Sequence, residues 1–196
     1  MNEFPILLVG PDGGGKTSAL RTLCQRESTR RRMVVVNGDK RIAVGVEQAA
    51  LKIPDVGELA LRLYPAGRSA LLGHFLRQMP HAGVLLLLDG GDESAIEQLR
   101  HYLKQLTSMT EPPTLAIGLT QAARLSRKRF DGLAHQAADF GLRCPLFRID
   151  ETRYEDVALL LESLLLTIHV TMDEETLDGF SSFTEPLSSV SSDLYS

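Results

Sequence analysis

The chain is poor in the features that mark secreted, membrane-spanning or strongly charged proteins. Its two cysteines, Cys24 and Cys144, are too few for a disulfide framework and are expected to be small buried hydrophobic residues. The longest apolar tracts, at 84–88 and 157–170, are too short or too interrupted to span a bilayer. A formal net charge of −4 gives no general attraction to nucleic acid or to an anionic membrane. No signal peptide is visible, so a cytoplasmic location is expected.

Signatures of metal binding and of nucleophilic catalysis are also missing. The histidines are scattered without metal-ligand spacing, and no local pattern suggests a Ser/His/Asp or Cys/His arrangement. The five histidines are His74, His81, His101, His135 and His169. No internal repeat is apparent, and a length of 196 residues corresponds to one domain with a sizeable core. The function therefore has to be sought in a local motif.

One such motif is present at residues 10–17, where GPDGGGKT fits the phosphate-binding pattern G-x-x-x-x-G-K-[ST]. It follows a strand-like apolar run and leads into a helix-like segment. Glycines allow successive backbone N–H groups to point inward around an anion, and the helix N-terminus adds the positive end of its dipole. In this pattern Lys16 reaches the β- and γ-phosphates and the Thr17 hydroxyl ligates Mg²⁺. The sequence therefore predicts a nucleotide-binding site.

Strand-like apolar runs alternate with amphipathic helical runs along the rest of the chain. This alternation favours an α/β fold, here a P-loop NTPase fold, with a mostly parallel central sheet and helices on both faces. The predicted strands cover residues 4–9, 33–36, 42–52, 59–64, 83–88, 114–119 and 145–149. The predicted helices cover residues 16–26, 70–79, 93–108, 126–140 and 154–168.

Charge is concentrated in two segments. A basic segment, comprising Arg26, residues 30–32, Lys40 and Arg41, is interpreted as an irregular, solvated loop. A role in contacting phosphates, an acidic partner or the chain's own tail stays open. Residues 171–196 are rich in serine, with six acidic residues and no lysine or arginine. They are predicted to be an acidic tail, disordered or ordered by a partner, that follows a domain at 1–170.

Five segments follow one another in a fixed order. They are GPDGGGKT at 10–17, LRLYPAGR at 61–68, GVLLLLDGGDESAIEQLRHYL at 83–103, AIGLT at 116–120 and CPLFRID at 144–150. Together with the order of elements, they resemble Ras-like small GTPases, and most of all the bacterial branch related to the gliding-motility GTPase MglA. The resemblance implies GTP or GDP with Mg²⁺ as ligands. It also implies regulatory protein partners, such as roadblock-type proteins, in bacterial signalling, polarity or motility, and it is compatible with a homodimer.

At several positions this sequence differs from the small-GTPase pattern in residues that serve hydrolysis. The switch threonine that ligates Mg²⁺ is matched by Ala43, whose methyl group cannot ligate a metal. The D-x-x-G turn is matched by residues 64–67, so that Gly67 keeps its N–H for a γ-phosphate but Tyr64 replaces the aspartate. The glutamine that orients the attacking water is matched by Arg68, which carries donors only. Hydrolysis is therefore expected to be weak or absent, and no catalytic residue is assigned.

A second group of departures bears on which base is bound. In the guanine-reading motif [NT]-[KQ]-x-D, Thr120 and Gln121 fit, but Ala123 offers no acceptor to the N1–H and amino group of guanine. Asp12 is a further irregularity, because its carboxylate would repel a γ-phosphate unless an arginine compensates. GTP and GDP are the expected ligands, and ATP and ADP stay open as alternatives.

The loop, the turn and the base motif supply the predicted site. The predicted nucleotide contacts are Asp12, Gly13, Gly14, Gly15, Lys16, Thr17, Ser18, Gly67, Thr120 and Gln121, with Thr17 as the metal ligand. Two other functions stay open. An ATP-binding protein or ATPase would use Asp89 as a Walker B carboxylate, and a structural module would retain the loop without a ligand, although such a module has little need for Lys16 and Thr17.

Overall fold

The structure, a computed structural model, describes residues 3–24, 29–37, 40–53, 57–64, 72–79, 82–140 and 144–169. The strands are β1 (Glu3–Val9), β2 (Thr29–Asn37), β3 (Lys40–Ile53), β4 (Gly57–Leu63), β5 (Gly83–Asp89), β6 (Leu115–Thr120) and β7 (Leu146–Arg148). The helices are α1 (Lys16–Cys24), α2 (Leu72–Arg77), α3 (Ala95–Thr107), α4 (Arg127–Asp139) and α5 (Tyr154–His169). A short 3₁₀ turn covers Ala122–Arg124.

The strands form a seven-stranded sheet in the order β2-β3-β4-β1-β5-β6-β7. β1 lies at the centre and pairs in parallel with both β4 and β5. The parallel pairing continues through β6 to β7, whereas β3 is antiparallel to both β2 and β4. The predicted α/β class and the mostly parallel sheet are confirmed.

The two faces of the sheet are both covered by helices. Successive side chains of a strand point to opposite faces, so Leu7 and Ile6 of β1 enter different hydrophobic clusters. Helices α2, α3 and α4 contribute to the cluster that contains Leu7, and α1 and α5 contribute to the cluster that contains Ile6. Burial on both faces explains why β5 is a continuous apolar run instead of an alternating one. With both faces of the sheet covered, the edge formed by the carboxyl ends of the parallel strands is where a ligand can approach the sheet.

The basic segment is where the sequence interpretation was wrong. Arg30, Arg31 and Arg32 do not lie in an irregular loop, because β2 begins at Thr29 and pairs with β3 without a break from Thr29 to Asn37. The antiparallel ladder with β3 supplies backbone partners along one side of the segment. β2 is an edge strand of the sheet, a place where charged side chains are common. Lys40 and Arg41 begin β3, and Arg26 lies outside the described residues.

The predicted tail at 171–196 also lies outside the described residues, so the domain boundary near residue 170 stays a prediction. In the part of the chain that the structure describes, no helix combines the length and the apolar character needed to cross a membrane.

Two adjacent leucines of α5 allow a test of the packing. Leu160 is fully buried, whereas Leu159 is 50% exposed. We expect Leu160→Ala to lower the free energy of unfolding by about 2–5 kcal/mol, because it removes buried methyl groups and leaves a cavity. Leu159→Ala is the matched control and should change it by about 0.5 kcal/mol or less. Urea unfolding monitored by circular dichroism measures both; equal losses would contradict the packing of α5.

Candidate functional site

The glycine-rich loop connects β1 to α1 at the carboxyl edge of the sheet. Its backbone has positive φ angles at Gly10 (144°), Gly13 (79°) and Gly15 (82°). A hydrogen bond from Gly14 N to Pro11 O (3.2 Å) closes the turn. The first N–H groups of a helix have no acceptor within the helix, so those at the start of α1 are free to bind a ligand. The loop and the helix start together form a concave surface suited to an anion.

Lys16 is folded back across this loop. Its Nζ donates to Gly10 O (3.0 Å) and Pro11 O (2.6 Å), and the side chain is half-buried. Burial lowers the pKa of Lys16, and the nearby carboxylate of Asp12 opposes that shift. A partly desolvated ammonium group gains more from an anionic neighbour than an exposed one does, because the effective dielectric constant is lower. Lys16 is therefore placed to stabilise a negatively charged ligand.

A cleft of about 590 Å³ opens next to the loop. This volume lies in the range of pockets that bind small molecules and cofactors, about 300–1,000 Å³. The loop and the start of α1 contribute Asp12, Gly13, Gly15, Lys16, Thr17 and Ser18. The remaining lining residues are Gly45 and Glu47 of β3, Leu63 and Tyr64 at the end of β4, and Glu151 after β7.

Most of the predicted loop residues therefore line one cleft, and the other predicted residues lie elsewhere. Gly14 is buried beneath the loop. Thr120 is also fully buried, and its hydroxyl donates to Leu88 O (3.2 Å). Gln121 is exposed with a φ of 55° and does not line the cleft. Gly67 and Arg68 lie outside the described residues. A nucleotide contact at each of these positions stays a prediction.

The positions matched to the switch residues carry no group that could replace them. Ala43 is exposed on β3 and does not line the cleft. Tyr64 lines the cleft, but its side chain is only 1% exposed and its ring packs edge-on against Phe75, with the centroids 5.4 Å apart. Tyr64 N donates to Leu8 O (2.9 Å), which fixes the end of β4 beside β1. Tyr64 therefore packs against α2 in the core beneath the cleft. It has no carboxylate that could replace the aspartate.

Asp89 has a structural role in the turn after β5. Its Oδ1 accepts a hydrogen bond from Gly91 N (2.8 Å), and it does not line the cleft. This placement gives little support to Asp89 as a Walker B residue.

Magnesium binding at Thr17 stays a prediction. Within the described ranges no group of three or more His, Cys, Asp or Glu side chains is placed to hold a metal. Mg²⁺ that accompanies a nucleotide needs only one or two protein ligands, because phosphate oxygens and water supply the rest. The exposed side chain of Thr17 lines the cleft and fits this requirement.

Two acidic residues that line the cleft, Glu47 and Glu151, were not predicted from the sequence. Glu151 follows β7 just as the glycine-rich loop follows β1. Because the carboxyl ends of parallel strands share one edge of a sheet, this position could have predicted that Glu151 lies near the loop. Glu47 lies within β3 and reaches the cleft because it pairs with Leu63 of β4. No local motif marks such a residue.

The sequence matches no protein-family model, and a search of curated proteins finds no significant match. The resemblance to small GTPases therefore stays a prediction, and the function is inferred from the loop and the cleft.

Proposed function

We propose that this protein binds a guanine nucleotide, GTP or GDP with Mg²⁺, and acts as a small-GTPase-like regulatory protein with weak or absent hydrolysis. The observation that carries the proposal is Lys16, half-buried and folded over the carbonyl oxygens of a glycine loop that opens into a cleft of about 590 Å³. A charged, partly buried group in a cleft is a candidate for function.

The architecture supports a P-loop fold of the small-GTPase type. The loop follows the central strand β1 and enters α1, which is the context that gives the G-x-x-x-x-G-K-[ST] pattern its meaning. The antiparallel pair β2–β3 ahead of β4 agrees with the order of elements on which the resemblance rests.

Each group of the site has a distinct task in this proposal. Backbone N–H groups of the loop bind phosphate oxygens, and Lys16 neutralises their charge. Thr17 holds Mg²⁺, which offsets further phosphate charge when it is bound. Ala43 has no side-chain oxygen, the buried Tyr64 has no carboxylate, and Arg68 has no acceptor for an attacking water. The protein is therefore at most a slow GTPase, and we propose that it acts through a regulatory partner, by resemblance a roadblock-type protein.

The two alternatives are less well supported. An ATPase would use Asp89 as its Walker B carboxylate, but Asp89 does not line the cleft that contains Lys16. A structural module without a ligand gives no reason to bury a lysine ammonium, whose desolvation costs stability.

The proposed function is tested by nucleotide extraction and thermal unfolding. The full chain is purified, denatured and chromatographed to identify any nucleotide that accompanies it, and is then unfolded with GTP, GDP, ATP or ADP and Mg²⁺. A guanine nucleotide at 100 times its dissociation constant should stabilise the protein by about 2.7 kcal/mol. Stabilisation by adenine nucleotides alone would contradict the guanine assignment, and no stabilisation by any of the four would favour the structural module.

Asp12 gives a prediction about charge in the cleft. We expect Asp12→Asn to raise the affinity for GTP about threefold to tenfold, because it removes a carboxylate near the phosphates whose repulsion is about 1 kcal/mol in a water-like environment. The gain should be smaller for GDP, which carries less charge. Competition with a fluorescent nucleotide measures both affinities, with the exposed Asp131→Asn as control. Lower affinity in Asp12→Asn would show that Asp12 acts mainly by supporting the charge of Lys16.

A further inference from the structure

The cleft contains more negative side chains than an anion site needs. Asp12, Glu47 and Glu151 all line it. A carboxylate beside bound phosphates weakens binding unless it faces a cation or a hydrogen-bond donor. Asp12 lies near the Lys16 ammonium. Glu47 is in β3 and Glu151 follows β7, and these two strands lie on opposite sides of β1 in the sheet.

Contacts with the loop define where Glu151 lies. A Cβ atom added at Gly15 would lie 3.1 Å from Glu151 Cγ and 2.8 Å from Thr120 Cγ2. The side chain of Glu151 therefore lies against the loop just before Lys16, with Thr120 beside it. Thr22 Oγ1 donates to Glu151 O (2.8 Å), which ties this residue to α1. Glu151 thus borders the phosphate cradle on the side of the helix.

The turn that carries Glu151 is held in place by its neighbours. Asp150 Oδ1 accepts hydrogen bonds from Thr152 N (3.0 Å) and Thr152 Oγ1 (2.6 Å). Asp150 N in turn donates to Asp156 Oδ2 (2.8 Å) at the start of α5. Glu151 is half-buried, and within the described part of the chain its carboxylate forms no hydrogen bond or ion pair. The turn therefore presents a charged acceptor to the cleft while its own backbone is fixed.

The residues of the predicted base motif offer no acceptor to the cleft. Thr120 is fully buried, Gln121 does not line the cleft, and the side chain of Ala123 has no polar atom. The donors that a nucleotide offers are the N–H groups of its base and the hydroxyls of its ribose. Guanine presents two adjacent donors, N1–H and its 2-amino group, whereas adenine presents an acceptor, N1, at the same edge. A carboxylate therefore pairs with guanine and repels adenine at that edge.

We propose that Glu151 is the specificity residue of this site and that its carboxylate accepts hydrogen bonds from N1–H and the 2-amino group of guanine. This inference rests on the proposed function. In this proposal the base is selected by the turn after β7, because the motif at 120–123 offers no acceptor to the cleft.

The test compares nucleotides that lack single donor groups. Dissociation constants are measured by calorimetry on the full chain for GTP, ITP, ATP and 2′,3′-dideoxy-GTP, using wild type, Glu151→Gln and the control Glu155→Gln. ITP lacks the 2-amino group, and the dideoxy nucleotide lacks the ribose hydroxyls. Glu155 is an exposed carboxylate near the same turn, 3.9 Å from Arg153.

In wild type and in Glu155→Gln we expect GTP to bind about tenfold or more tightly than ITP, as for a hydrogen bond to a charged acceptor. In Glu151→Gln the ratio of GTP to ITP affinity should fall severalfold, because the amide oxygen is an uncharged and therefore weaker acceptor. The ratio of GTP to dideoxy-GTP affinity should be unchanged.

Three results distinguish the ways in which this inference could fail. An unchanged GTP to ITP ratio in Glu151→Gln would show that the base is read elsewhere. A changed dideoxy-GTP ratio with an unchanged ITP ratio would place Glu151 at the ribose. Both results leave nucleotide binding that depends on Lys16 intact, so only the inference is overturned. Absence of any Lys16-dependent binding in wild type would instead overturn the proposed function and the inference with it.

Discussion

Replacing Lys16 by alanine is expected to abolish nucleotide binding while the protein stays folded. In the proposed site the Lys16 ammonium donates charge-assisted hydrogen bonds to the phosphates, and each such hydrogen bond is worth about 1.5–3 kcal/mol. Loss of two contacts should weaken binding by at least about 100-fold. The unliganded protein should change little in stability, because the loss of the hydrogen bonds to Gly10 O and Pro11 O is offset by the removal of a half-buried, partly desolvated charge.

The measurement is the midpoint of thermal unfolding with and without GTP and Mg²⁺. Wild type and the exposed-lysine control Lys104→Ala should both be stabilised by the nucleotide, and Lys16→Ala should not. Equal stabilisation of Lys16→Ala and wild type would show that the nucleotide binds away from the loop. A large loss of stability in the unliganded variant would show that Lys16 has a structural role instead.

A second large effect is expected at Gly10, where the loop leaves β1 over the backbone of β5. The φ of Gly10 is +144°, and an added Cβ would lie 2.0 Å from Leu87 O. Because this neighbour is backbone of a central strand, it cannot move aside cheaply. We expect Gly10→Ala to lower the free energy of unfolding by about 2–6 kcal/mol, from backbone strain and steric overlap together.

Gly13 is the matched control in the same loop. Its φ is +79°, but an added Cβ would meet nothing within 4 Å. Gly13→Ala therefore carries the backbone strain alone, about 1–2 kcal/mol. Urea unfolding of both unliganded variants separates the two contributions. If the two variants lose the same stability, the close approach of the loop to Leu87 is not present in the protein.

The sequence was informative wherever the signal is local. The loop pattern depends on spacing within eight residues, and the backbone angles and the placement of Lys16 agree with it. The strand at Gly83–Asp89 was equally predictable, because burial on both faces leaves a continuous apolar run.

Features that depend on distant pairing could not be predicted in the same way. Arg30 to Arg32 form part of a strand because β3 offers partners over the full length of β2. Glu47 reaches the cleft through its register with Leu63, and Glu151 through the contact of its turn with Gly15. In each case the deciding neighbour is remote in sequence, and residue type alone does not identify it.

The central claim, that the loop at 10–17 binds a nucleotide, is tested most directly by calorimetric titration of GTP with Mg²⁺ into the full chain after any accompanying nucleotide is removed. The expected result is saturable binding at one site per chain that is lost in Lys16→Ala and retained in Lys104→Ala. Absence of saturable binding with GTP, and also with GDP, ATP and ADP, would contradict the claim.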